Sequence, residues 1–283
     1  MVAVCLEGRL GNQLFQYAFI YNTAKKLNTR FYIDKGTINF TLPEYFTVKT
    51  DSFMLFDKYI FSINGFKNIF TYHSKIAFYK FLKKIYRLKE LSFYNDQQPS
   101  EQVKKIKNKI LYKGFFQSED YFKEYKNDIF NLFTVKPVYK QQFENILASL
   151  PSSKKMVAVH IRRGDYINHN FALDPEYFHN AIKHIHTADN YYVFISDDID
   201  FIRKEFDYIP NKCISDNTEI IDFQFLSHAD ICILSNSSFS WWGAYLNAKN
   251  PYVIAPQYWL GSKEQREIPV RVIPESFTIL NIS

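Results

Sequence analysis

MVAVCLEGRLGNQLFQYAFIYNTAKKLNTRFYID, residues 1–34, carries the pattern that decides the fold. Residues 1–6 form a short apolar run, and Gly8-Arg9-Leu10-Gly11-Asn12 is a turn-rich loop. From Gln13 to Leu27 apolar residues recur at Leu14, Ala18, Tyr21 and Ala24, with support from Phe15 and Phe19. That spacing is the periodicity of a helix. Arg30 to Asp34 then reads as a second strand. Strand, glycine-containing loop, helix and strand make a βαβ opening.

The same alternation returns in the second half. Met156–Ile161 reads as a buried strand, Pro175–Ile185 as a helix and Tyr191–Ile195 as another strand. Helices over Asp200–Phe206, Ile220–His228 and Ser240–Asn247 alternate with strands over Asp230–Ser235 and Tyr252–Ala255. Repeated strand–helix units imply an α/β protein with a parallel sheet and ligands at the carboxyl ends of its strands. Between the halves, Ile110–Phe116 is strand-like and Glu119–Phe133 helical. The polar stretch Leu150-Pro151-Ser152-Ser153-Lys154-Lys155 breaks the periodicity and marks a domain boundary. Residues 37–110 resist assignment, except that Ser74–Leu91 has the spacing of a helix. Its apolar stripe is Ala77, Phe81, Ile85 and Leu88, with Lys80, Lys83, Lys84 and Arg87 elsewhere. A basic amphipathic helix can rest on an anionic membrane; a solvated face over an ordinary core stripe is the commoner explanation.

A chain of 283 residues accommodates one large domain or two of roughly 130 residues each. With 47% hydrophobic and 23% charged residues it is globular rather than disordered. The net charge of +6 favours an anionic partner without choosing among a nucleotide sugar, a membrane and a nucleic acid. No nucleic-acid-binding motif supports the last. Cys5, Cys213 and Cys232, an odd count without CxxC spacing, argue against a disulfide scaffold or zinc site. No window is apolar enough to span a bilayer, and the opening residues lack the basic segment of a signal peptide, so a cytoplasmic location is expected.

Three clusters lie at carboxyl ends of expected strands. In His160-Ile161-Arg162-Arg163-Gly164-Asp165-Tyr166, two adjacent arginines can grip a diphosphate bidentately, with Asp165 holding one of them in position. Ser235-Asn236-Ser237-Ser238-Phe239-Ser240 offers hydroxyls and free amides at a helix N-terminus, an anion site by geometry and dipole. Ordinary N-capping needs only one of those serines. Ser196-Asp197-Asp198 places paired carboxylates that suit a ribose, a base or a metal, or a helix N-cap. The glycine spacing of Gly8 and Gly11 fits neither a dinucleotide fingerprint nor a P-loop, and no HExxH or GxSxG occurs.

In order along the chain, Gly8–Ala18, Gly114–Phe122, His160–Tyr166, Ser196–Asp198 and Asp222–Trp242 resemble glycosyltransferase family 11, the α-1,2-fucosyltransferases. The resemblance implies two Rossmann-like halves facing a cleft, a GT-B-like fold. Residues 1–150 would form the acceptor-side domain and 151–283 the GDP-fucose-binding domain. It implies that His160 and Asp222 contact guanine or its neighbourhood, that Arg162 holds the β-phosphate, and that Ser237, Ser238 and Phe239 supply phosphate contacts. Arg163, Asp165, Asp197 and Gly11 join the substrate-binding set, and Asn12 is expected at the reacting centre. The implied reaction transfers L-fucose with inversion from GDP-fucose to the 2-hydroxyl of a galactose-terminated glycan. No metal or other cofactor is expected, since Arg162 and the serine-loop amides can carry the leaving-group charge. The rivals are a transferase using another GDP-sugar and a non-catalytic glycan-binding protein.

Overall fold

The structure, a computed structural model, describes residues 1–36, 38–48 and 69–282, with residues 69–74 described by backbone only. The part of the 37–110 stretch that runs from 49 to 68 lies outside the described residues. The chain divides into two compact units, Met1–Val135 with Pro269–Arg271, and Lys136–Ile268 with Val272–Ser283.

The first unit is built on the βαβ opening. Strand β1 (Val2–Cys5) pairs in parallel with β2 (Phe31–Asp34), and helix α1 (Leu10–Lys26) crosses between them. Helix α2 (Leu42–Tyr45) and helix α3 (Ile69–Ile85) follow. Strand β3 (Lys89–Ser92), helix α4 (Pro99–Val103) and strand β4 (Ile110–Lys113) complete a parallel sheet of order β2-β1-β4-β3. Helix α1 is buried on nearly every side, so it reads as a core helix rather than an amphipathic one. Phe19 lies among Phe93, Tyr112, Phe116 and Tyr121. The helix starts at Leu10, not Gln13, so Gly11 and Asn12 belong to its first turn rather than to the preceding loop. Beyond β4, the expected single helix over Glu119–Phe133 is two 3₁₀ turns, Glu119–Tyr121 and Lys123–Tyr125, and helix α5 (Lys126–Leu132).

The expected helix over Ser74–Leu91 is corrected in both extent and facing. It ends at Ile85, and β3 begins at Lys89. Tyr79 and Leu82 face the core, whereas Phe81 and Ile85 are 59% and 53% exposed. The sequence permits either stripe because aromatic and aliphatic residues occur all round this helix; packing on Tyr32 and Leu111 selects Tyr79 and Leu82.

The second unit contains helix α6 (Pro137–Leu147), strand β5 (Lys155–Ile161), helix α7 (Gly164–His169) and helix α8 (Pro175–Ile185). Next come strand β6 (Asn190–Ser196), helix α9 (Ile199–Glu205), strand β7 (Lys212–Ile214) and helix α10 (Glu219–His228). Strand β8 (Ile231–Ile233), helix α11 (Ser238–Tyr245), strand β9 (Tyr252–Pro256) and strand β10 (Thr278–Leu280) end the chain. The six strands are all parallel in the order β10-β9-β8-β5-β6-β7. Central β5 is buried from Met156 to Ile161, as a strand covered by helices on both faces must be. Helix α8 carries the clearest start signal in the chain, an Asp174 N-cap accepting from the Glu176 amide and Pro175 at its first position. Trp241 and Trp242 of α11 are wholly buried, and Gly243 lies so close to α10 that a Cβ would stand 2.5 Å from that of Leu226.

The division falls at Val135, not near residue 150. Helix α6 belongs to the second unit because Phe143 packs edge-on against Phe225, at 5.1 Å, and the Tyr139 carbonyl accepts from Gln224. The polar stretch at 150–155 is the loop from α6 into β5, not a boundary.

Candidate functional site

In the second sheet the chain runs from β5 outward through β6 to β7, then returns to place β8 on the other side of β5. Connections therefore diverge between β5 and β8, and a parallel sheet opens its ligand crevice at the carboxyl ends of such a pair. The arginine motif follows β5 and the serine run follows β8.

His160 bridges the two loops. Its Nδ1 lies 2.7 Å from the Ser235 hydroxyl, and its ring centre is 5.4 Å from that of Phe239. Burial, with the Arg162 charge nearby, lowers the imidazole pKa to about 3, so the ring is neutral at pH 7. Arg162 is held by two carboxylates: Nη1 pairs with Asp197 at 2.8 Å and Nη2 with Asp165 at 2.5 Å, while the guanidinium lies over the Tyr166 ring. The expected role of Asp165 in holding an arginine matches this contact. Asp197 also accepts from the amides of Arg163 and Gly164, at 2.9 and 3.1 Å. A Cβ on Gly164 would stand 2.5 Å from Asp197 Oδ2, so glycine admits this close approach.

The adjacent arginines do not act as a pair. Arg163 turns to Asp198, 3.1 Å from its Nε, and lies 3.6 Å over the Phe201 ring, whereas Arg162 keeps its own carboxylates. Asp197 and Asp198 are likewise separated by task. Asp197 shapes the arginine loop, and Asp198 caps α9 through the Phe201 amide. Among the described residues, no group of three or more His, Cys, Asp and Glu is placed to hold a metal ion.

The serines have separate partners. Ser235 meets His160, Ser237 caps α11 by accepting from the Phe239 amide, and Ser240 donates back to the carbonyls of Ser235 and Ser237. Ser238 and Phe239, in the first turn, are the members of the run that are not buried. Asp222 lies in the first turn of α10 and accepts from Ser215, which in turn accepts from Asn217 at 2.9 Å. Burial raises its carboxyl pKa to about 7, with Asp216 and Glu219 adding to the rise and the Ser215 hydrogen bond opposing it. Beside it, Asp216, Asn217, Thr218 and Ile221 face Gln142 and Asn145 of α6 across a cavity of about 570 Å³.

In the first unit, Asn12 and Gly11 stand where β1 gives way to α1. Gly8 has φ +76°, and a Cβ there would stand 2.3 Å from Asn12 Nδ2. Gln13 and Gln16 stitch the surrounding loops together. Gln13 donates to the Gly8 and Asn39 carbonyls, and Gln16 donates to Gly114 while accepting from the Glu7 amide. Gln117 donates to Asn12 Oδ1 at 2.7 Å. Sequence reasoning passed over Ser235, Tyr166 and Gln117 as individual residues. Each lies within a quoted motif, but Ser235 meets His160, the Tyr166 hydroxyl donates to the Asn236 carbonyl at 3.3 Å and Gln117 meets Asn12, all partners far along the chain.

Solved fucosyltransferases share this GT-B fold. Fucosyltransferase NodZ from Bradyrhizobium matches with a TM-score of 0.53 over 87% of this chain and 92% of that one, at 12% identity. The pattern of Glycosyl transferase family 11 matches residues 1–269, and the chain belongs to that family; it is a glycosyltransferase. It is 31% identical to an alpha-1,2-colitosyltransferase of Escherichia coli, covering 93% of this chain and 94% of the relative. It is 28% identical to the O-antigen biosynthesis glycosyltransferase WbnK of Escherichia coli, covering 93% and 96%.

Proposed function

We propose that the protein is an inverting α-1,2-fucosyltransferase that moves L-fucose from GDP-β-L-fucose to the 2-hydroxyl of a terminal galactose on a glycan. The observation that carries this reading is the assembly of Arg162, His160 and the first turn of α11 at the divergence between β5 and β8. In the same unit, Asp222 offers a carboxylate, which matches the two adjacent N–H donors of guanine. Family membership and the 1,2-linkage named for the colitosyl relative agree with it. A Caenorhabditis elegans galactoside 2-alpha-L-fucosyltransferase is 33% identical over 49% of this chain.

Transfer breaks the bond between fucose C1 and the β-phosphate oxygen as the acceptor oxygen bonds to C1 from the opposite face, giving the α-linkage. The bonding electrons leave with GDP, and the proton of the acceptor hydroxyl is released to solvent. Arg162 and the α11 amides meet the charge gathering on the diphosphate, as preorganised donors should. Ser237, Ser238 and Phe239 make the phosphate-side contacts. Asp165 and Asp197 orient Arg162, Arg163 stiffens the loop through Asp198, and Asn12 with Gly11 serves the reacting sugar from the acceptor-side unit. Under this reading no divalent metal is needed, and residues 136–268 bind the nucleotide.

The test is transfer from labelled GDP-L-fucose to a panel of terminal β-galactosides in excess EDTA. Fucosylated product is the expected result; loss of transfer on chelation, restored by Mg²⁺ or Mn²⁺, refutes metal independence. Absence of both transfer and GDP affinity refutes the donor site. A second reading, transfer of a different sugar from GDP, is favoured by the colitosyl relative. Competition by GDP-mannose, or by a deoxy analogue of GDP-fucose, separates the two.

The reading includes a cytoplasmic location with contact to an anionic membrane. Free Cys5, Cys213 and Cys232 suit a reducing compartment, and exposed Phe81 and Ile85 lie beside exposed Lys80 and Lys84 on α3. No helix among the described residues is long and apolar enough to cross a membrane. Co-sedimentation with phosphatidylglycerol vesicles, lost in Phe81→Ser with Ile85→Ser, tests this contact.

A further inference from the structure

We infer that Gln117 is a positioning residue for the transfer, fixing the direction in which the Asn12 side-chain amide points. This rests on the reading above, in which Asn12 serves the reacting sugar. In the first sheet, β1 has β2 on one side and β4 on the other, so connections diverge between β1 and β4. Ligand crevices open at the carboxyl ends of such a strand pair. The segments leaving those two ends, the first turn of α1 and the loop after β4, carry Asn12 and Gln117, and the bond from Gln117 Nε2 to Asn12 Oδ1 joins them at 2.7 Å.

The surrounding structure is arranged around this bond at some local cost. Gln117 is buried, and among the described residues its Oε1 has no hydrogen-bond partner. A buried acceptor left unmatched is unfavourable and calls for an explanation. The loop that delivers Gln117 is itself strained. Phe116 has φ +52°, uncommon for a residue with a side chain, and Gly114 has φ +146° with a virtual Cβ 2.7 Å from the Phe93 carbonyl. Phe116 is pinned in that conformation by parallel stacking on Phe19 of α1, ring centres 3.8 Å apart. Gln16 of the same helix holds the Gly114 carbonyl at 3.0 Å. Both ends of the Asn12–Gln117 bond are thus anchored to α1, and neither loop relaxes to satisfy Oε1.

The polarity of the amide follows. With Oδ1 turned to a donor, the Asn12 amide faces the other way with its N–H groups. Those N–H groups are what Asn12, serving the reacting sugar, offers to one of the sugar's oxygens. The reversed amide would offer that oxygen an acceptor instead of a donor.

The test compares wild type with Gln117→Glu, Gln117→Leu, Asn12→Ala and the Asn12→Ala/Gln117→Leu double variant. Transfer from GDP-L-fucose to lactose is followed alongside thermal melting. Glutamate nearly matches glutamine in shape but its carboxylate only accepts, so it draws the Asn12 N–H groups round and reverses the amide. Gln117→Glu should lower kcat about tenfold to a hundredfold with KM for the donor little changed and the melting temperature retained. In the Asn12→Ala background, Gln117→Leu should cost no further than about twofold, since it acts through Asn12. Wild-type kcat in Gln117→Glu, or losses that multiply in the double variant, would overturn the inference. A readout independent of turnover is the side-chain amide resonance of Asn12 in ¹⁵N-labelled protein. Gln117→Glu must move it, and an unmoved resonance also overturns the inference. Inactivity of the wild type towards GDP-L-fucose would sink the fucosyltransferase reading instead.

Discussion

With Asp222 meeting guanine as proposed, donor binding should depend on pH in a calculable way. Its carboxyl pKa is raised to about 7 by burial, and guanine can be gripped only by the ionised form, which accepts from two N–H donors. Affinity should therefore be flat well above pH 7 and fall about tenfold for each unit below it, or about 1.4 kcal/mol per unit. GDP-L-fucose suits this measurement because both its phosphates are esterified and do not titrate in the window. His160, whose pKa lies at about 3, stays neutral throughout and adds no slope. Calorimetric titrations between pH 5.5 and 8.5 read the dependence directly, and Asp222→Asn should bind more weakly and lose it. Stability carries the opposite sign. The folded carboxyl pKa lies above its unfolded value, so its contribution is complete below the ordinary carboxylate range and is lost as pH rises through about 7. The ligand-free wild type should thus lose melting temperature relative to Asp222→Asn between pH 4 and 8. A flat affinity profile from pH 6 to 8, or an unchanged slope in Asp222→Asn, would refute the reasoning.

Arg162→Ala should lower kcat about a hundredfold, and Arg162→Lys should be nearly as poor because an ammonium cannot span Asp165, Asp197 and a phosphate at once. Steady-state kinetics of both variants check this. Gly164→Ala places a methyl 2.5 Å from Asp197 Oδ2 and should displace the carboxylate that orients Arg162. A fall in kcat of about tenfold with unchanged melting is expected, since small misplacements at a reacting centre are costly. Phe143→Ala should destabilise the second unit by about 3–5 kcal/mol, measured by urea unfolding, because the ring is buried between α6 and α10.

The second unit was legible because its sequence signals agree with one another. β5 and β6 are apolar runs of strand length, and α8 opens with a cap and a proline. Motif order also located His160, Arg162 and the turn before α11 at strand ends. What stayed hidden depends on distant contacts. Two neighbouring arginines look like one pocket in sequence, yet Asp197 and Asp198, in the turn just beyond β6, draw them to different carboxylates. The serine run looks like four anion donors, but Ser235 is taken by His160 and Ser237 by the helix end. The facing of α3 was undecidable locally, since only the sheet beneath it prefers Tyr79 and Leu82 to Phe81 and Ile85. Gln117 meets Asn12 across 105 positions of sequence, a separation that no local pattern encodes.

The position of β5 also governs how this protein emerges from a ribosome. β5 and β6 leave in close succession and can pair early, but the other edge of β5 is matched only when Ile231–Ile233 appears. Until then a strand with a continuous apolar run, Met156–Val159, offers an open row of amides and carbonyls to any neighbour, the situation that favours edge-to-edge aggregation. A low growth temperature, which weakens apolar association, and a low expression level, which thins out neighbouring chains, should therefore raise the soluble yield.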